Sequence, residues 1–121
     1  MIGDNIMDDF NVIVADENIE NTIKVISSIE NVYMFIGGIN PFDKVEIKVS
    51  NDILIVEEKA ILVRDITGIN IYTSTVANNY GLFDVTIYAS NDTLQLSIPY
   101  DYSYLFFKKC IFSCLQEGYI K

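Results

Sequence analysis

The chain has 121 residues, half of them hydrophobic, with 17 Asp and Glu against 8 Lys and Arg, which gives a net charge of -9. This length predicts a single domain over residues 1–121, and the hydrophobic content is enough for a core without metal or disulfide support. The acidic balance argues against binding to nucleic acid or to an anionic membrane surface, because both carry negative charge.

The ends of the chain and its cysteines bear on where the protein acts. The first residues lack the basic and apolar segments of a signal peptide, and no apolar run reaches the ~18 residues that a membrane span needs. Two cysteines, Cys110 and Cys114, do not make a disulfide framework. We therefore expect a cytoplasmic protein.

The N-terminal part predicts one strand followed by one helix. Alternating apolar residues at Phe10, Val12 and Val14 are typical of a strand. Isoleucines then recur at helical spacing, and a side chain such as Asn18 can cap the first turn, which predicts a helix over Asn18–Glu30. Residues 31–36 fit either a further strand or one more helical turn.

A series of short alternating runs between Lys44 and Ile98 dominates the rest of the chain. Turn signals separate the runs at Asn51–Asp52, Thr67–Gly68 and Asn91–Asp92. Period-two alternation between such turns predicts antiparallel strands with one face in the core and the other in solvent. No central helix is expected within this stretch.

After Pro99 the apolar spacing becomes helical, and Asp101 or Ser103 can cap a second helix. This predicts a helix over Asp101–Glu117 with a buried face that includes Phe107, Ile111 and Leu115. The predicted fold class is therefore α+β: a single antiparallel sheet of about five to seven strands, with an N-terminal and a C-terminal helix packed on it.

Residues for catalysis are scarce. The chain has no histidine, the commonest general base and metal ligand, and no further thiol or imidazole completes a zinc site with Cys110 and Cys114. Two buried core residues are the favoured interpretation of these cysteines, with a reversible redox pair as the alternative. Glu57 and Glu58 are adjacent in an expected strand end and would point to opposite faces. We expect no enzymatic activity, no metal and no cofactor.

The solvent side of the predicted sheet is the candidate binding surface. If Ile69, Ile71, Val85 and Ile87 face the core, the alternate positions of the same strands share the opposite face. Tyrosine with small polar residues offers rigid contact area with a polar tip, although tyrosine also makes good cross-strand pairs without any partner. The predicted partner-binding residues on this face and its turns are Asp65, Asn70, Tyr72, Asp84, Thr86, Tyr88 and Asp92.

These features predict a non-catalytic protein-binding module with a basic protein partner, and neither nucleic acid nor a membrane as ligand. The first hypothesis is an acidic immunity protein that blocks the active site of a nuclease-type toxin, because such a toxin needs a cationic groove. Two alternatives stay open. One is a chaperone for an exported effector, a class in which a central helix usually interrupts the strands, and the other is a phage-encoded inhibitor of a host defence protein.

Overall fold

A computed structural model describes residues 11–102 of the chain. This part forms nine antiparallel strands in two sheets, one helix of nine residues and one of five. A helix-plus-sheet fold built on antiparallel strands was predicted, but the strand count, the number of sheets and the helix positions differ from the prediction.

The elements have the following bounds. The strands are β1 (Asn11–Ile13), β2 (Val32–Phe35), β3 (Phe42–Val45), β4 (Ile47–Ser50), β5 (Ile53–Val56), β6 (Lys59–Leu62), β7 (Ile66–Tyr72), β8 (Leu82–Ala89) and β9 (Asp92–Pro99). The helices are α1 (Ile19–Ser27) and α2 (Thr75–Asn79), and single 3-10 turns cover Asp16–Asn18, Val63–Asp65 and Tyr100–Tyr102.

The larger sheet has six strands in the order β1-β7-β8-β9-β2-β3. In its centre Ile71 lies opposite Val85, and Val85 lies opposite Leu96, so that these side chains share one face. All three are buried, as are Ile69 and Ile87 one row further along. The prediction that these positions of β7 and β8 face the core is confirmed.

The prediction of a single sheet is wrong, because β4, β5 and β6 form a separate three-stranded sheet. Val45 pairs with β2 in the larger sheet, whereas Ile47 pairs with β5 in the smaller one. The chain changes sheets at Glu46, whose backbone N–H donates to Oε2 of Glu57 at 2.8 Å. Since the apolar alternation continues through Val45 and Ile47, nothing in the pattern marks the change of partner.

Helix α1 is shorter than the predicted Asn18–Glu30. Asn18 occupies the N-cap position, where its side chain accepts no capping hydrogen bond, and its carbonyl accepts a hydrogen bond from the buried Thr22 hydroxyl at 2.8 Å. The helix ends at Ser27, and the N–H of Ile29 reaches back only to the Ile26 carbonyl. Ile29 is nevertheless buried, so the apolar stripe extends beyond the helix that it predicted.

One hydrophobic cluster joins the helix and both sheets. It includes Ile23 and Ile26 of α1, Ile87 of the larger sheet and Leu54 of the smaller sheet, all of them inaccessible to solvent. The single domain over residues 1–121 stays a prediction, which a substitution at Leu54 tests below.

Two local differences remain. Residues 32–35 form the strand β2, which decides between the strand and the helical turn that the sequence allowed. The short helix α2 was not predicted; it begins after Ser74, whose hydroxyl accepts a hydrogen bond from the Ala77 N–H at 3.3 Å. Of the predicted helix Asp101–Glu117, only the start is described, as part of a 3-10 turn.

The remainder of that helix lies outside the described residues. The predictions that fall there concern its buried face and the two cysteines: Phe107, Cys110, Ile111, Cys114 and Leu115.

Candidate functional site

Five of the seven predicted binding residues lie together on the larger sheet. Asn70 is opposite Thr86, and Tyr72 is opposite Asp84, so that these four side chains occupy the corners of a rectangle across β7 and β8. Tyr88 is two residues further along β8. We call these five residues the β7–β8 face.

The alternation along β8 places this face. Phe83, Val85 and Ile87 are buried in the core cluster, and the pleat of a strand turns the residues between them to the other side of the sheet. Asp84 and Thr86 therefore point away from helix α1 and the core. The grouping predicted from the sequence is present in the structure, and its role in binding stays a prediction.

Solvent exposure within the β7–β8 face is less uniform than the prediction of a wet face implies. Tyr88 is 43% exposed, whereas Thr86 is only 2% exposed and the other three residues are half-buried. The Tyr72 hydroxyl lies 3.1 Å from the Thr86 hydroxyl, a hydrogen bond that closes the centre of the face. Tyr88 is therefore the residue of this face that is most available for contact.

The other two predicted residues, Asp65 and Asp92, lie near the turn between β8 and β9. Asp65 ends the 3-10 turn before β7, and its carbonyl accepts from the Ser90 N–H at 3.1 Å. Asp92 begins β9, and its carboxylate is 3.1 Å from the Lys59 Nζ. The hydrogen bond from Lys59 lowers the pKa of Asp92, opposed by desolvation and helped by the Thr93 N–H.

Asp84 carries the one carboxyl group among the five residues of the β7–β8 face. Burial raises the pKa of its carboxyl group, and hydrogen bonds from Ser74 and Ser97 act in the opposite direction. The Ser97 hydroxyl donates to Oδ1 at 3.4 Å. The Ser74 contacts leave Oδ2 of Asp84 without a hydrogen bond of good geometry, and among the described residues Oδ2 of Asp84 and Oδ1 of Asn70 are the buried acceptors in this position. The face can therefore accept hydrogen bonds from an incoming donor.

We expect the substitution Asp84→Asn to raise the melting temperature at neutral pH. An aspartate with an ordinary pKa of 3.8 loses its proton in the unfolded chain before Asp84 does in the folded chain. Between the two pKa values the folded state binds more protons, so stability falls as pH rises and stays reduced above both. Thermal unfolding of wild type and variant from pH 3 to pH 7 measures this, with the variant's advantage vanishing below about pH 3.8.

Asp92→Asn is the matched control, because it makes the same change at a carboxyl group whose pKa is lowered. Its charged form is stabilised in the folded state, so this variant should melt at or slightly below the wild-type temperature at neutral pH. If Asp84→Asn also melts lower than wild type at neutral pH, burial does not penalise the Asp84 charge.

A second surface feature was missed by the sequence analysis. The β2–β3 hairpin exposes Phe35, Ile36 and Ile39, of which Ile39 is 95% exposed. The Phe42 ring lies 5.5 Å from that of Phe35 and 5.4 Å from that of Tyr80. We call these five residues the hairpin cluster. Its signal in the sequence is an apolar loop, because loops between strands are usually polar.

Two kinds of site are not found in the part of the chain that the structure describes. Residues 11–102 contain no group of three or more His, Cys, Asp or Glu side chains placed to hold a metal ion. In the same range no helix is long and apolar enough to cross a membrane.

No protein-family model, no curated protein and no solved structure matches the chain.

Proposed function

We propose that this protein is a non-catalytic binding module that neutralises a basic, nuclease-type toxin by covering its active site. The main support is the composition of the β7–β8 face. Asn70 and Asp84 present buried acceptor oxygens without partners on the sheet face that also carries Tyr72 and the exposed Tyr88. Acceptors of this kind favour a partner that supplies N–H donors, because an unsatisfied buried acceptor costs free energy.

Charge supports the same partner. Strands β7, β8 and β9 come from a part of the chain, residues 65–107, that contains no Lys or Arg. A nuclease must present a cationic groove to its substrate, so a base-free face on a protein of net charge -9 would attract it and speed encounter. Blocking that groove requires no chemistry from the inhibitor. Cytoplasmic location belongs to the proposal, since an immunity protein meets the toxin inside the cell that makes it.

Capture from a lysate of the native host tests the proposal. Wild-type protein should recover a basic nuclease, and the double variant Asp65→Lys/Tyr88→Ala should not. The variant reverses one charge and removes the most exposed ring of the β7–β8 face. Asp84 is left unchanged because a lysine at its half-buried position would threaten the fold. Addition of the wild-type protein should also inhibit the recovered nuclease.

Asp43→Lys/Tyr80→Ala is the matched control, with the same two types of substitution outside the seven predicted binding residues. Asp43 is exposed on the edge strand β3, and Tyr80 follows α2 with 55% of its surface exposed. This control should recover the nuclease as the wild type does, and both variants should melt cooperatively. Equal recovery by the Asp65→Lys/Tyr88→Ala variant would contradict the proposed interface. A captured partner that shows no nuclease activity after its separation from this protein would contradict the proposed class.

The chaperone alternative has one specific observation in its favour, the hairpin cluster. Exposed apolar side chains such as Phe35, Ile36 and Ile39 can hold an apolar segment of an unfolded effector. A short helix, α2, also interrupts the strands between β7 and β8, where the sequence suggested none. If Asp43→Lys/Tyr80→Ala loses the partner while Asp65→Lys/Tyr88→Ala keeps it, the hairpin cluster is the interface and the chaperone function is favoured.

A further inference from the structure

The two unpaired acceptors of the β7–β8 face are diagonal neighbours. Asn70 is opposite Thr86 and Tyr72 is opposite Asp84, so the hydrogen bond between the Tyr72 and Thr86 hydroxyls runs along one diagonal of this rectangle. Asn70 and Asp84 lie at the ends of the other diagonal. Viewed along the sheet normal, the Tyr72 side chain therefore crosses the diagonal between Asn70 and Asp84, whose Oδ1 and Oδ2 are buried.

No cation of the described chain reaches this pair along the sheet. The residues that follow Asp84 across the strands are Ser97, Tyr33 and Lys44. Lys44 is thus three strands away, about 14 Å at the usual strand spacing of about 4.8 Å. A half-buried carboxylate without a cationic partner is costly to keep charged, and the burial that raises the pKa of Asp84 reflects this.

We propose that Asn70 Oδ1 and Asp84 Oδ2 together bind the guanidinium group of one arginine of the basic partner, which displaces the Tyr72 hydroxyl from Thr86. This arginine site rests on the proposed function and names the group that the partner would insert. The displaced phenol ring then stacks on the planar cation.

Arginine fits this site better than lysine for three reasons. Its guanidinium group has several N–H donors in one plane, which allows one group to serve two acceptors on neighbouring strands. It is more weakly hydrated than an ammonium group, so it enters a half-buried site at lower cost. Its flat face also matches the ring of Tyr72, whereas an ammonium group offers a point charge only.

The test uses small probes, so no partner has to be known. Isotope-labelled full-length protein is titrated with Nα-acetyl-arginine amide and, separately, with Nα-acetyl-lysine amide, at constant ionic strength and neutral pH, with NMR detection. The arginine probe should shift the Asn70 side-chain amide and the backbone amides of Tyr72 and Asp84, and the lysine probe should bind about tenfold more weakly. No localised shift, or equal shifts from both probes, would overturn the arginine site.

Three variants extend the test. Asp84→Asn should weaken arginine binding by about tenfold or more, because it removes the charged acceptor but keeps the shape of the side chain. Asp43→Asn makes the same change at an exposed position of the edge strand β3, outside the predicted binding residues, and should leave binding unchanged. Tyr72→Phe should bind the probe at least as tightly as wild type, since no hydroxyl bond has to break. Weaker binding by Tyr72→Phe, or an unchanged affinity of Asp84→Asn, would contradict the site.

The outcome is separable from that of the proposed function. If arginine does not bind but Asp65→Lys/Tyr88→Ala still loses a captured nuclease, the acceptor pair is wrong and the proposed interface stands. If arginine binds as expected but wild-type protein captures no nuclease, the site is right and the proposed partner class is wrong.

Discussion

The substitution Leu54→Ala should lower the free energy of unfolding by about 2–5 kcal/mol. Leu54 lies in the three-stranded sheet and is inaccessible to solvent within the core cluster that also contains Ile26 of α1 and Ile87 of the larger sheet. Its truncation removes contacts and leaves a cavity between elements that cannot fully collapse. Since small domains are stable by only about 5–15 kcal/mol, the urea midpoint should move by a large fraction of its wild-type value.

The neighbouring Ile55→Ala is the matched control, because Ile55 is on the other face of β5 and only partly buried. It should cost about 1 kcal/mol or less. Both variants should unfold in one transition, with circular dichroism and tyrosine fluorescence giving the same midpoint. If Leu54→Ala instead melts the smaller sheet in a separate early transition, the chain does not form a single cooperative domain.

The core strands could be predicted from the sequence because apolar and polar residues alternate along the strand. In β8, Phe83, Val85 and Ile87 alternate with polar residues, and the three are buried as the pattern indicates. The grouping of Asn70 with Thr86 and of Tyr72 with Asp84 follows from the same alternation, once β7 and β8 are neighbours.

The second sheet could not be predicted, because pairing is a property of two strands and alternation is a property of one. Val45 and Ile47 continue the same pattern but pair with different strands. Between them, the Glu46 N–H donates to the side chain of Glu57, a residue with a positive φ of 54°. A contact between residues so far apart in the chain leaves no trace in local periodicity.

The solvent exposure of the candidate site residues also could not be predicted from the local sequence pattern. Thr86 was expected on a wet face and is on the predicted side of the sheet, yet it is buried, partly because the Tyr72 hydroxyl reaches across from β7. Asp84 is half-buried and hydrogen-bonded to Ser97. Alternation determines the direction of a side chain, whereas its neighbours on adjacent strands determine how much water reaches it.

These differences in exposure assign different roles to the residues of the proposed interface. Tyr88 offers an exposed ring, so it suits a contact that the partner covers in the formed complex and that slows dissociation. Asp65 adds charge without a salt bridge among the described residues, which suits long-range attraction, whereas the charge of Asp92 is already compensated by Lys59.

With the captured partner purified, Tyr88→Ala should raise the dissociation rate of the complex by about 30-fold, the equivalent of about 2 kcal/mol. The association rate should stay nearly unchanged. An exposed ring contributes contact area that exists only in the formed complex, so its loss acts on the dissociation step. Asp65→Asn should instead slow association and reduce its dependence on salt, because the attraction acts before contact. Surface plasmon resonance at two salt concentrations separates the two rates.

Tyr80→Ala is the control for the ring, since Tyr80 is similarly exposed but belongs to the hairpin cluster. Its rates should match those of the wild type. An association rate that falls with Tyr88→Ala while dissociation stays constant would place Tyr88 outside the formed contact. An Asp65→Asn variant with wild-type salt dependence would show that the attraction comes from acidic residues elsewhere on the chain.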